Sequence, residues 1–544
     1  MTDRCYCVFE GGGAKGIAHV GALAALEESG LDLCGFAGTS AGAVIAALAA
    51  VGYRSRELIC EESSILDMID LDTSNIWSGD PFRPAKKPNR LFGRFGWWGI
   101  VAARNHGFWI LLALLFFILV LPTLLVEIGV CAPASSWWLE ALSLLGIFIA
   151  ATVVARGMAS LKSFERGLNQ LLRLKVGPRL AGHPAHQSRL PIPVTFENMK
   201  NAGFPPLRVV AANISSRELR LFSHETTPEL GVASAVAASV CLPVIFKPWK
   251  IAGHLHLDGG LVSNLPAWAF DPERALDRDA WTAVVQVGDK EAEKKSWGVG
   301  ILWAGILTGI FGAGLLNVRN VERLKAVRIK VTLGLLQFDP GLDAACDIVQ
   351  LAKLHCLEKL VFHLRDVPQL MTAICERIQV RAVRVINQAL RLEAKSDFAG
   401  RLRVSLLVPT KDDPTSISAD FQHGFSDCTD ERIRLPMQGS FAGQALDGGD
   451  ALYLDRRDPT WSDYLARPQD RWLRKLVWPE MRWVFCVPYV NEKAGIKLVA
   501  SIDSDTFLDV EEDIVDVIMG SISDDVITML DQFLPEEAFV DGSS

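Results

Sequence analysis

The chain opens with a short apolar run, Tyr6 to Phe9, closed by Glu10, and from Ile17 to Glu28 its apolar residues recur at the period of an amphipathic helix. Between them stands Gly11-Gly12-Gly13-Ala14-Lys15-Gly16, so the pattern predicts strand, tight loop, helix. A second apolar stretch, Leu33 to Ala37, enters Gly38-Thr39-Ser40-Ala41-Gly42 and then an alanine-rich run, again strand, turn, helix. Farther on the scale of the pattern changes: Phe108 to Val126 is a leucine-rich run of 19 uncharged residues, and Trp137 to Ala155 is a second whose only charge is Glu140. From Asp343 the period is helical, with Ile348, Leu351, Leu354, Leu357, Val361 and Leu364 on one face, a break at Pro368, and a second run holding Ile374, Ile378, Val385 and Ile386. Beyond residue 400 short strands alternate with polar turns (Leu402 to Val408, Ala451 to Leu454, Trp483 to Val490, Lys497 to Ile502), and a helical stretch follows from Val510 to Phe533.

Each uncharged run is long enough to cross a hydrocarbon core of about 30 Å as a helix. Arg83, Lys86, Lys87, Arg90, Arg94 and Arg104 precede the first, and Arg156, Lys162, Arg166, Arg173 and Lys175 follow the second; the connecting stretch has no Lys or Arg. By the positive-inside rule both ends face the cytoplasm, with Trp97, Trp98, Trp109, Trp137 and Trp138 near the interfaces. The expectation is an integral membrane protein with two spans, its catalytic and C-terminal parts cytoplasmic; a buried hairpin or a lid is the other reading. Val299 to Val318, rich in glycine, reads as a helix of the first domain and not as a third span.

Composition narrows this further. Half of the 544 residues are apolar and 22% are charged, which is hydrophobic for a purely soluble chain. The formal net charge of -8 gives no bulk attraction to nucleic acid, and none is expected as a partner. The 11 cysteines are odd in number and lack C-x-x-C spacing, which reads as reduced thiols in a cytosolic setting without a metal site. Met1-Thr2-Asp3-Arg4 runs almost at once into the first strand, with no signal-peptide pattern.

The chemistry lies in three motifs. Successive glycines let the first loop turn several N–H groups toward one point, reinforced by the positive end of the following helix, so Gly11, Gly12 and Gly13 suit an anion or a developing oxyanion. Alone this loop also satisfies a dinucleotide-binding pattern, whereas Ile17 stands where a Walker loop needs lysine. The second motif decides between them: Gly38-x-Ser40-x-Gly42 is a G-x-S-x-G elbow that exposes a serine hydroxyl. Such a hydroxyl needs a base, and Asp258 in His254-Leu255-His256-Leu257-Asp258-Gly259-Gly260 is the candidate. Asp447-Gly448-Gly449 reads as an ordinary turn, and His19, His254 and His256 read as structural.

These three motifs in this order resemble the patatin-like phospholipases, with Lys15, Gly16, Gly38, Gly42, Gly259 and Gly260 completing the family pattern. The similarity runs over about residues 4 to 340, including Leu207 to Ser215 and Ala233 to Phe246 with its Ser239-Val240-Cys241-Leu242-Pro243 corner. It implies a Ser40/Asp258 dyad without a catalytic histidine, no cofactor, and a phospholipid or lysophospholipid substrate cleaved through an acyl-enzyme. The last part of the chain is similar to a GAF domain through Gly439-Ser440-Phe441-Ala442-Gly443-Gln444-Ala445-Leu446 and Val499-Ala500-Ser501-Ile502-Asp503-Ser504. The expected fold class is α/β: a three-layer patatin-like α/β/α hydrolase core (1–340) with an inserted transmembrane hairpin (97–160, spans about 108–126 and 137–155), a helical linker (341–399) and a GAF-like α+β regulatory domain (400–544). A homodimer through the linker and the last domain, and a small-molecule effector of that domain, are further expectations. Two other functions stay open: a non-catalytic membrane sensor, and a neutral-ester hydrolase or acyltransferase.

Overall fold

The computed structural model describes residues 4–59, 100–101, 157–181, 193–277, 280–289, 321, 323–338, 340–410, 413–425, 428–535 and 539. They fall into two compact units, Met1–Val361 and Phe362–Ser544. The runs 108–126, 137–155 and 299–318 lie outside the described residues. The expected integral protein with two spans is corrected here: among the described residues no helix is long and apolar enough to cross a membrane. The long helices Lys162–Ala181, Val367–Leu392 and Glu512–Phe533 carry charged residues along their length, which a bilayer core would exclude.

The first unit contains, in chain order, β1 (Arg4–Phe9), α1 (Ala18–Glu28), β2 (Asp32–Thr39), α2 (Ala41–Ala50), α3 (Lys162–Ala181), β3 (Leu207–Asn213), β4 (Glu218–Phe222), α4 (Val232–Ser239), β5 (Trp249–Ile251), β6 (His254–Asp258), β7 (Trp281–Asp289), β8 (Leu324–Val331) and α5 (Leu342–Cys356). Eight strands form one mixed sheet in the order β5-β6-β3-β2-β1-β7-β8, with β4 paired to β3. The pairs β3-β2, β2-β1, β1-β7 and β7-β8 are parallel, whereas β3, β4, β5 and β6 pair antiparallel with one another. Central β1 is buried from Cys5 to Phe9, so the sheet is covered on both faces. Tyr6 and Val8 point to one face and pack with Ala267, Phe270 and Val284; on the other, the Phe9 ring meets His19 of α1 edge-on at 5.3 Å. The nine described cysteines form no disulfide.

After α5 a π-helical stretch, Leu357–Asp366, leads into α6 (Val367–Leu392), with Pro368 in the first turn of α6. Because the helical run is continuous, the proline's missing N–H falls just after turns whose hydrogen bonds have already widened, where an α-helical ladder is interrupted. The face drawn through Leu351 and Leu354 is corrected: both stand exposed, whereas Ala345, Ala352, Cys356, Leu360, Val361 and Leu364 are buried. Wider π turns shift the register, so a single 3.6-residue stripe does not run through the segment.

The second unit continues with β9 (Leu402–Thr410), β10 (Asp413–His423), β11 (Arg434–Pro436), α7 (Phe441–Gly448), β12 (Leu452–Asp455), β13 (Trp483–Asn491), β14 (Ile496–Ser504) and α8 (Glu512–Phe533). Its six-stranded antiparallel sheet has the order β11-β10-β9-β14-β13-β12. Leu406, Phe485 and Ala500 face a core shared with α6 and α8, while their neighbours Leu407, Cys486 and Val499 face Ala442 and Ala445 of α7. Asp447 and Gly448 end α7, and Gly449 caps it in the left-handed conformation, so this second Asp-Gly-Gly is a helix stop.

Candidate active site

Ser40 stands alone between the end of β2 and the start of α2, at φ 52° and ψ -126°. A non-glycine residue at this φ is strained, and the surroundings have to hold it there. Two contacts do so. Ser40 N–H donates to Ser239 Oγ at 2.8 Å, and Ser239 Oγ donates to Val210 O at 2.6 Å, so the small-residue helix α4 fastens the elbow to β3. On the other side α2 lies against the end of β1 so closely that a Cβ on Gly42 would come 2.2 Å from Phe9 O, which only glycine allows.

Asp258 is brought to Ser40 by the register of a single strand. Val210 of β3 pairs with Thr39, the last residue of β2, and the next residue, Ala211, pairs with Asp258, the last residue of β6. Because β4 runs along β3 from Val209 to Asn213, it takes the opposite edge, and β6 occupies the place that β2 leaves on turning into the elbow. The acid and the serine's neighbour are thus held by consecutive residues. Asp258 is 1% exposed. One carboxylate oxygen, Oδ1, accepts from Gly260 N at 2.8 Å; the other, Oδ2, has no hydrogen-bond partner among the described residues. Burial pushes this carboxyl up to about 6, opposed by the Ser40 hydroxyl and the Gly260 N–H. The hydroxyl is therefore near enough to favour the carboxylate, without closing a full hydrogen bond to it.

The glycine loop packs on the elbow: a Cβ on Gly11 would lie 3.1 Å from Ser40 Cβ, and one on Gly16 would lie 2.5 Å from Ala41 Cβ. Gly13 takes φ 55°, at the start of a 3-10 turn, Gly13–Ile17, that carries Lys15. Gly11 N–H donates to Asn264 O at 3.1 Å and Ala14 N–H to Leu335 O at 2.9 Å, whereas no acceptor takes the N–H of Gly12 or Gly13 among the described residues. The expected three-glycine oxyanion site is corrected to that extent, since the Gly11 donor is already spent. Beneath the loop Glu10 is buried, its carboxyl pushed up to about 7 by desolvation. Behind it His19 is fully buried and held down to about 4, hence neutral, with Nε2 donating to Glu10 O at 2.8 Å. His256 contacts His254 O at 3.2 Å. Both ring contacts are to backbone carbonyls.

The structure thus gathers Ser40, Asp258, the glycine loop and the flanking Gly38, Gly42, Gly259 and Gly260 in one place. Sequence reasoning passed over Glu10, taken as a strand end, and Asn264; Ser239 entered only as part of a family corner. The signals were an ionisable residue directly before the glycines and an Asn-x-Pro just after Asp-Gly-Gly. No group of His, Cys, Asp and Glu able to hold a metal occurs among the described residues.

A serine on a strained strand-to-helix elbow thus lies beside a buried carboxyl and a glycine loop on an α/β sheet. Residues 7–271 match the model described as patatin-like phospholipase. "Uncharacterized protein YqhO" of Bacillus subtilis (strain 168) is 26% identical over 277 residues, covering 49% of this chain and 67% of that one. "Probable lipid hydrolase 463L" of Invertebrate iridescent virus 6 is 20% identical over 259 residues, 48% of this chain and 60% of its own. Among solved structures, VipD from Legionella pneumophila is similar with a TM-score of 0.29 at 17% identity, over 73% of this chain and 81% of VipD.

Proposed function

We propose that the first unit hydrolyses acyl esters of phospholipids or lysophospholipids with a Ser40/Asp258 dyad. The observation that carries this reading is the unpartnered Oδ2 of Asp258, buried beside a serine held in a strained elbow. Ser40 Oγ attacks the ester carbonyl while Asp258 takes its proton. The N–H groups of Gly12 and Gly13 receive the oxyanion, each donor contributing about 3 kcal/mol. Collapse expels the alcohol, to which Asp258 returns the proton. Water then attacks the acyl-enzyme, giving one proton to Asp258; as the fatty acid leaves, that proton passes back to Ser40 Oγ. Asp258 must start as a carboxylate, which its partial ionisation near neutrality permits.

The second unit is proposed as a GAF-like regulatory module. Its antiparallel sheet between α7 on one face and α6 with α8 on the other supports this reading, as does the motif order in its strands. The decisive experiment is fatty-acid release from mixed phospholipid vesicles by the wild type, Ser40→Ala and Asp258→Asn. Release confined to the wild type is the expected result; equal release by all three rejects the dyad.

A further inference from the structure

Glu10 and Asn264 belong to no step of that chemistry, yet both are buried and tied to the glycine loop from two sides. Asn264 Nδ2 donates to Glu10 Oε1 at 3.2 Å and to Gly11 O at 3.2 Å, and its backbone O accepts from Gly11 N at 3.1 Å. The remaining oxygen, Glu10 Oε2, accepts from Val287 N at 2.9 Å. Three segments meet here: the loop after β1, the turn that follows Asp258, and the end of β7. We propose that Glu10 and Asn264 form a clamp that positions the glycine loop for oxyanion binding, and that the clamp holds only while Glu10 is a carboxylate. They are positioning residues, and the inference rests on the dyad reading for its catalytic part.

The donor and acceptor pattern leads to this conclusion. Both groups facing the Glu10 oxygens, an amide NH2 and a backbone N–H, are donors, so the ionised acid satisfies them and a protonated acid brings an O–H against them. The Asn264 amide is oriented by the same rule. Turned over, its oxygen would face Glu10 Oε1 and Gly11 O, two acceptors. As it stands, Asn264 Oδ1 is buried without a partner among the described residues and lies 2.3 Å from where a Gly11 Cβ would be. Protonating Glu10 makes the overturned amide the better partner for the acid and withdraws the donor from Gly11 O, so the loop is rewired by one proton. The charged groups around Glu10 are Arg328 of β8 and Lys15 of the loop, both favouring the carboxylate, while His19 of α1 is neutral and occupied with Glu10 O.

Gly11 is the only glycine that follows a glutamate in this chain, so protein labelled with [13C-carbonyl]glutamate and [15N]glycine reports its amide as a single assigned resonance. That resonance is expected to shift between pH 5 and 9 in the wild type and to shift less in Asn264→Ala; in Glu10→Gln, labelled with [13C-carbonyl]glutamine instead, it is told from the resonance of Gly439, the other glycine that then follows a glutamine, by comparison with wild type labelled the same way, and should stay fixed. In parallel, with p-nitrophenyl octanoate as probe, both variants should lose about 10- to 100-fold in kcat with little change in KM, as displaced oxyanion donors do. The acid limb of kcat/KM should fall from two ionisations to one in Glu10→Gln. Melting curves identify any variant that fails to fold, and the second variant then carries the test. A Gly11 resonance that does not titrate, or titrates equally in Glu10→Gln, overturns the clamp whatever the activity. A folded Glu10→Gln with wild-type kcat and acid limb overturns its catalytic part. Absence of Ser40-dependent hydrolysis in the wild type rejects the dyad reading, and with it that catalytic part, while the resonance still decides the clamp.

Discussion

Asp258 in the first unit and Asp503 in the second are equally deep, at 1% and 3% exposure, and burial pushes both carboxyls up to about 6. What separates them is how their bonding capacity is used. Arg403, fully buried, meets Asp503 at 2.6 and 3.0 Å and Asp430 through two bonds of 2.9 Å, and its guanidinium is stacked between Trp478 and Phe425 at 4.0 and 4.1 Å. Every donor of that fork that faces an acid is answered, and the network is a structural lock of the kind that costs little only when complete. Among the described residues no cation acts on Asp258, and one of its oxygens is left unanswered. Depth and a raised pKa therefore do not mark a site by themselves; what sets Asp258 apart is an unspent acceptor beside a strained serine.

The largest effect expected from this contrast is on chemistry: Ser40→Ala and Asp258→Asn should each lower acyl hydrolysis by about 10⁴-fold or more, read as fatty-acid release, whereas Asp503→Asn should leave the chemical step near wild type in protein that stays folded. The wild-type rate should rise with pH along an acid limb that includes the ionisation of Asp258 at about 6 and, if the clamp holds, that of Glu10 at about 7. Next, Arg403→Leu leaves Asp430 and Asp503 buried without their cation and should destabilise the second unit by about 3–5 kcal/mol in urea unfolding. A smaller shift of opposite sign is expected for the unanswered acid. The folded Asp258 holds its proton more tightly than the unfolded one, up to about 6 against an ordinary value of 3.8. The stability this confers is complete below the lower value and lost as pH rises through the higher. Asp258→Asn, which does not titrate, should therefore gain up to about 3 kcal/mol over the wild type at pH 8 and almost nothing at pH 4. The smallest effect belongs to Ser239→Ala, which frees the Ser40 N–H and should cost about 1–3 kcal/mol of stability with a loss in kcat, measured by melting and by initial rates.

Which parts could be read from the chain follows from range. The elbow and the glycine loop are local: five or six consecutive residues dictate a backbone path, so Ser40 and Gly11 to Gly13 were legible. Most strands of the second unit were legible from apolar alternation, but β10 was not, because Asp413–His423 mixes Ser, Thr and Asp with its apolar positions and is recognisable only beside β9. Asp258 was legible from its glycines; the reason it meets Ser40, the shared edge of β3, was not. Glu10 with Asn264 and Ser239 with Ser40 are partners from distant segments, brought together by pairing that no local pattern states. The two apolar runs gave the opposite lesson. Length and flanking charge argued for spans; the runs lie outside the described residues, among which no helix is long and apolar enough to cross a membrane.

The fastening of Thr39 and Asp258 to Val210 and Ala211 has a consequence for how this chain can vary. Ser40 and Asp258 take their spacing from neighbouring rungs of one strand, so the length of polypeptide running between Ser40 and β3, or between β3 and β6, does not enter it. The segment between the two motifs is a port for insertion: it can grow, shrink or acquire a new partner, while a one-residue slip of β3 against either strand would pull the two groups apart.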